Sequence, residues 1–126
     1  MGHSVRISEA ELEIMKILWR EDKPVPFSDI RIELNKTKGW EKSTIATLLR
    51  RLQDKGAVSA QETRIRYYTS NITSEEYRHA EERSLIDKLY EGSAKSFVAA
   101  LCIRGELAES DIDELKAHFK MREQEK

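Results

Sequence analysis

One cysteine, two prolines and five glycines in 126 residues leave this chain with little to staple or to break it. With Cys102 alone, neither an intrachain disulfide nor a cysteine-rich metal site can form. Its place inside an apolar run predicts a buried, inert thiol. His79 and His118 are isolated from other ligand types and read as surface histidines, so no metal is expected. The longest apolar run, Phe97 to Ile103, has seven residues. A helix that spans a bilayer needs roughly 20, which excludes such a span here. No signal-peptide pattern opens the sequence, and a cytoplasmic protein is expected. A phosphate-cradling glycine loop and any Ser/His/Asp or Cys/His set are also missing, so neither an enzyme nor a cofactor is expected.

Charge is plentiful, at 36% of residues, yet the net is only -1. The balance hides a segregation. Residues 40 to 68 hold six Lys and Arg against three Asp and Glu, whereas residues 71 to 126 hold nine against thirteen. Only the first of these segments is suited to a polyanion.

That basic segment contains the most informative stretch. Ile45, Leu48, Leu49 and Leu52 recur at the helical period and predict one buried face. Ser43, Thr44, Ala46, Thr47, Arg50 and Arg51 then look outward, and Lys42 beside them is expected on phosphate. Small hydroxyl side chains near the start of a helix allow close approach to base edges in a DNA groove. Basic side chains toward its end, Lys55 among them, reach phosphates. After Gly56, two strand-like runs, Val58 to Gln61 and Ile65 to Thr69, flank a short turn. This hairpin carries Arg64, Arg66, Tyr67 and Tyr68, a set suited to lie along a sugar-phosphate backbone. Strand alternation turns one of the two tyrosines inward. Upstream, Ser8 and Glu11 form a capping box ahead of Leu12, Ile14, Met15, Leu18 and Trp19. A shorter helix from about Ser28 to Lys36 turns Ile30 and Leu34 inward, and Gly39 and Trp40 make the turn that follows. The expected class is mainly α with a small β-hairpin wing: a winged helix-turn-helix domain over 1 to 70 and a helical dimerisation domain over 71 to 126.

In the second half, Thr73 and Glu76 open a helix running to about Tyr90, with Tyr77, Leu85, Ile86 and Leu89 as apolar positions. A nearly wholly apolar helix, Ser96 to Cys102, contributes Phe97 and Leu101. The last helix, roughly 109 to 123, presents Ile112, Leu115 and Phe119, behind a poor capping residue at Ala108. Three helices in so short a segment make a marginal core, and the middle one needs cover on nearly all sides. A second copy of the chain would supply it, with Tyr77, Leu85, Ile86, Leu89, Phe97, Leu101 and Leu115 as the dimerisation set. A symmetric dimer places two recognition helices on successive turns of double-stranded DNA and demands a pseudo-palindromic operator. The competing reading is a winged-helix module that binds another protein, with weak or no DNA contact.

In these residues the sequence resembles the penicillinase-repressor family, the BlaI/MecI-type regulators of beta-lactam resistance. The resemblance rests on Ile7-Ser8-Glu9-Ala10-Glu11, Ile14-Met15 and Leu18-Trp19; on Trp40, Thr44-Ile45, Thr47-Leu48-Leu49, Arg51-Leu52 and Lys55-Gly56; and on Tyr90, Gly92, Ser96, Val98, Leu107, Ile112, Glu114 and Leu115. It implies a winged-helix half, a helical dimerisation half and repression of a resistance operon. It also implies inactivation on a signal from a transmembrane sensor protease, by cleavage of an Asn-Phe bond that aligns with Ala100 and Leu101. This chain departs from the family's usual Trp-Ser-Pro-Lys-Thr by reading Trp40-Glu41-Lys42-Ser43-Thr44, with Ala46 where an Arg is common. A copper-responsive branch with paired cysteines near its C-terminus is excluded by the lack of any cysteine after Cys102.

Overall fold

A computed structural model describes residues 5 to 124 of the chain. Two compact units divide between Ala80 and Glu81. The first contains helix α1 (Glu9–Glu21), strand β1 (Val25–Pro26), helix α2 (Phe27–Lys38), helix α3 (Lys42–Asp54), strands β2 (Val58–Glu62) and β3 (Arg66–Ser70), and the first turns of helix α4 (Ser74–Tyr90).

Helix α1 starts where the capping box requires. The Ser8 hydroxyl accepts the Glu11 N–H at 3.1 Å, and the Glu11 carboxylate accepts the Ser8 N–H at 2.9 Å. Two orphan donors of the first turn are thereby satisfied. Helix α2 follows Pro26, whose fixed φ suits a helix entry, and ends at Gly39. There a φ of 71° reverses the chain at no steric cost. The inward residues Ile14, Met15, Ile17, Leu18, Ile30, Leu34, Ile45, Leu48, Leu49 and Leu52 join Val25, Ala57, Val58 and Tyr68 in one core. Each fully buried aliphatic side chain among them contributes about 1.5–3 kcal/mol.

The sheet is three-stranded and antiparallel, ordered β1-β3-β2. The hairpin expected from sequence is present, with Val58 opposite Ser70 and Glu62 opposite Arg66. Strand β2 starts at Val58 as expected and runs one residue further, whereas β3 starts one residue later, so that Ile65 falls in the turn. Strand β1 is an addition. Val25 pairs with Tyr68 and Pro26 with Tyr67 on the outer edge, where a proline costs no ladder bond inside the sheet. Trp19 packs at the rim of the core, and its indole N–H donates to Ser70 Oγ at 3.1 Å and to the Ile72 carbonyl at 2.9 Å.

The second unit comprises the remainder of α4, helix α5 (Ala94–Ile103) and helix α6 (Glu109–Gln124). The α4 cap forms as expected, Thr73 and Glu76 exchanging side-chain and backbone bonds at 2.8 and 2.9 Å. Tyr90 and Phe97 rings meet at 5.2 Å, and Arg83 binds Asp87 and the Gly92 carbonyl at the end of α4. No residue of α4, α5 or α6 is buried in the single chain. Leu85, Leu89, Val98, Ile103, Leu115, Phe119 and Met121 are all exposed. Cys102 is exposed as well, against the expectation of a buried thiol, because one chain provides α5 with no cover on that side. No helix among the described residues is long and apolar enough to cross a membrane.

Candidate nucleic-acid interface

The buried row of α3 fixes what its opposite face presents. With Ile45, Leu48, Leu49 and Leu52 inward, the 3.6-residue period sets Ser43, Thr47 and Arg50 directly opposite the core, flanked by Thr44 and Arg51 on one side and by Lys42 and Ala46 on the other. All are exposed except Thr47, which is half-buried. Lys42, Arg50 and Arg51 form no side-chain hydrogen bond or ion pair among the described residues, so their charges are available to a ligand. At the wing, the turn lacks glycine, and Thr63 takes over its role: its hydroxyl donates to the Ile65 carbonyl at 3.0 Å and accepts the Ile65 N–H at 3.4 Å. Arg64 projects from this turn unpaired, with Ile65 exposed beside it. Tyr67 is half-buried and Tyr68 is core, sorted by strand alternation as expected.

Three predicted site residues have a different setting. Arg66 is exposed but pairs across the hairpin with Glu62, so it meets a phosphate only by exchanging that partner. Lys55, expected on phosphate, is exposed but already engaged: its ammonium donates to Glu11 at 2.5 Å and to the Arg6 carbonyl at 2.7 Å. The reason is that the carboxylate of Glu11 is only 2% exposed and needs a counter-charge. Tyr77, expected at a dimer contact, packs its ring 5.6 Å from that of Trp19 in the first unit. The other predicted dimer residues, Leu85, Ile86, Leu89, Phe97, Leu101 and Leu115, are exposed or half-buried in the second unit. Ala100 and Leu101 lie within α5 and are half-buried.

Sequence reasoning did not find two hydrogen-bonded ion pairs that join elements of this scaffold. Arg20 on α1 grips Glu33 on α2 through two bonds of 2.7 and 2.8 Å. The hydrogen bonds from Arg20 hold the Glu33 carboxyl below its usual range. The second is the pair of Lys55 and Glu11. Burial pushes the Glu11 carboxyl up, but the bonds from Lys55 and Ser8 outweigh it and hold it below the ordinary value of 4.5. A depressed folded-state pKa contributes stability that is fully present above the unfolded value and lost as pH falls through the folded one. Glu11→Gln should therefore flatten the loss of stability below about pH 4.5, read as the difference between the two chains in urea unfolding midpoints.

The N-terminal end of α3 lacks the usual device. Glu41 occupies the cap position without a side-chain cap bond, and Asn35 holds the preceding turn through the Trp40 carbonyl at 3.1 Å. Glu41→Ser should supply the missing acceptor. The gain is up to about 1 kcal/mol, less a few tenths for the lost charge near the helix dipole. It should also strengthen DNA binding by removing a negative charge near phosphate. Paired thermal melts and DNA titrations check both effects.

A helix-turn-helix with a basic wing, its recognition face uncovered, defines a winged-helix DNA-binding regulator. Comparison with known proteins gives the family. Residues 7–120 match the penicillinase repressor family model, and the chain belongs to that family of transcriptional repressors. It is 35% identical over 111 residues to the penicillinase repressor of Bacillus licheniformis, covering 87% of this chain and 86% of that one. It is 34% identical to the penicillinase repressor of Staphylococcus aureus, covering 89% of each. It is 31% identical to the methicillin resistance regulatory protein MecI of Staphylococcus aureus strain N315, covering 87% of this chain and 89% of that one. Among solved structures, the Bacillus licheniformis BlaI monomeric form in complex with the blaP half-operator is 40% identical, with a TM-score of 0.53. The match covers 61% of this chain and 94% of that one.

Proposed function

We propose that the chain is a homodimeric repressor that holds a pseudo-palindromic operator on double-stranded DNA and silences a beta-lactam resistance gene in the cytoplasm. The observation that carries this is the uncovered face of α3: small hydroxyls and unpaired arginines opposite a fully buried apolar row, with a basic wing behind it. The BlaI complex with its half-operator supports the same use of the fold. Ser43, Thr44 and Thr47 read bases. Lys42, Arg50, Arg51 and Arg64 hold phosphate, with Tyr67 and Arg66 along the backbone. Leu85, Ile86, Leu89, Phe97, Leu101 and Leu115 make the contact between copies, since α5 and its neighbours bury nothing alone. Catalysis is not part of this reading, and no metal or cofactor is required.

Release from DNA follows proteolysis between Ala100 and Leu101, triggered by a transmembrane sensor protease. Cutting α5 removes the cover each copy gives the other, and the paired grip fails. Ala100 in place of the family's Asn deprives such a protease of a hydrogen-bonding handle. Mass spectrometry of the repressor in its host after beta-lactam exposure should show a fragment ending at Ala100. Derepression with the chain intact would contradict this route. Random-sequence duplex separates the repressor from a protein-binding module, because only the repressor binds it with salt-sensitive affinity.

A further inference from the structure

We infer that Glu11 is a positioning residue for DNA recognition: acting through Lys55, it fixes the C-terminal end of α3, and Lys55 serves operator binding through its buried partner rather than through phosphate. The inference rests on the DNA-binding reading of α3. Glu11 is the one buried charged residue among those described. Its capping of α1 does not explain the charge, since a glutamine completes a capping box equally well. What the charge adds is Lys55. That residue is the C-cap of α3, with its own N–H on the Arg51 carbonyl at 3.0 Å. Its ammonium bridges Glu11 on α1 and the Arg6 carbonyl ahead of α1. A single cation thus ties the end of the recognition helix to two points 44 and 49 positions away in sequence.

The two ends of α3 are held unequally. Its start has no side-chain cap. Its end has the ion pair and, one residue on, the Asn71 amide donating to the Gly56 carbonyl at 3.0 Å. Base reading needs side chains held to within about 0.5 Å, and this end supplies the stiff reference. The free cation of the last turn is Arg51, which the pairing of Lys55 with Glu11 leaves to meet phosphate alone.

The test compares the unaltered chain with Glu11→Gln, Lys55→Met and the double variant, each shown by circular dichroism to be folded at the assay temperature. Operator affinity, random-duplex affinity and the dependence of each on salt are measured. Each single change is expected to weaken operator binding on the order of tenfold, about the loss of one good hydrogen bond. Random-duplex affinity and the salt slope should stay unchanged, and the double variant should be no weaker than the singles. The proposal is overturned if Lys55→Met lowers the salt slope by about one unit per half-site while Glu11→Gln binds normally. Lower melting temperatures with unaltered operator affinity would also overturn it, since the pair would then serve stability alone. Absence of salt-sensitive binding by the unaltered chain brings down the DNA-binding reading itself, a failure visible before any variant is made.

Discussion

Leu89→Asp should leave the chain folded and yet abolish the proposed dimer and its tight grip on operator DNA. Leu89 is 61% exposed in the single chain, so a carboxylate there is solvated and costs the monomer nothing. In the proposed dimer the same carboxylate would be buried without a partner, a change that costs several kcal/mol. Losing the dimer turns two linked half-site contacts into one, and operator affinity should fall by about 10² to 10⁴. Phe97→Asp is a less clean variant, because Phe97 also packs on Tyr90 within one chain. Sedimentation and circular dichroism on Leu89→Asp should show a helical monomer. A folded, unmutated monomer at micromolar concentration would contradict the dimer.

The second large effect is on salt. Lys42, Arg50, Arg51 and Arg64 are exposed and unpaired, which would give the proposed dimer up to eight phosphate contacts. Raising salt from about 50 to 200 mM should then weaken operator binding by about 10³ to 10⁵. Arg51→Ala should weaken all sequences alike and reduce the slope by about one unit per half-site. Thr47→Val should instead cost roughly 1–3 kcal/mol at particular base positions and spare the slope. An Arg51→Ala variant that changes the preferred operator while keeping the slope would reverse these assignments.

How much of this was legible beforehand depended on range. Ser8 with Glu11 and Thr73 with Glu76 each act within one helical turn, so the helix starts at α1 and α4 could be read directly. The four apolar positions of α3 likewise fix its buried face by period alone. Strand β1 was not legible, because two residues beside Pro24 carry no alternation and gain their geometry only by pairing with Tyr67 and Tyr68. Nor was the pairing of Lys55, whose partner Glu11 is brought near only by the packed core. Tyr77 fits a helical apolar pattern whichever unit it serves, and the ring of Trp19 decides it. The exposure of Cys102 follows from tertiary packing that local hydrophobicity does not report.

Sequencing of duplex fragments selected by the purified full chain tests the central claim most directly. The account predicts one enriched, pseudo-palindromic motif whose half-sites lie a helical turn, about 10–10.5 base pairs, or a multiple of it apart. Enrichment of a lone half-site without its inverted partner, or no enrichment over random duplex, would contradict it.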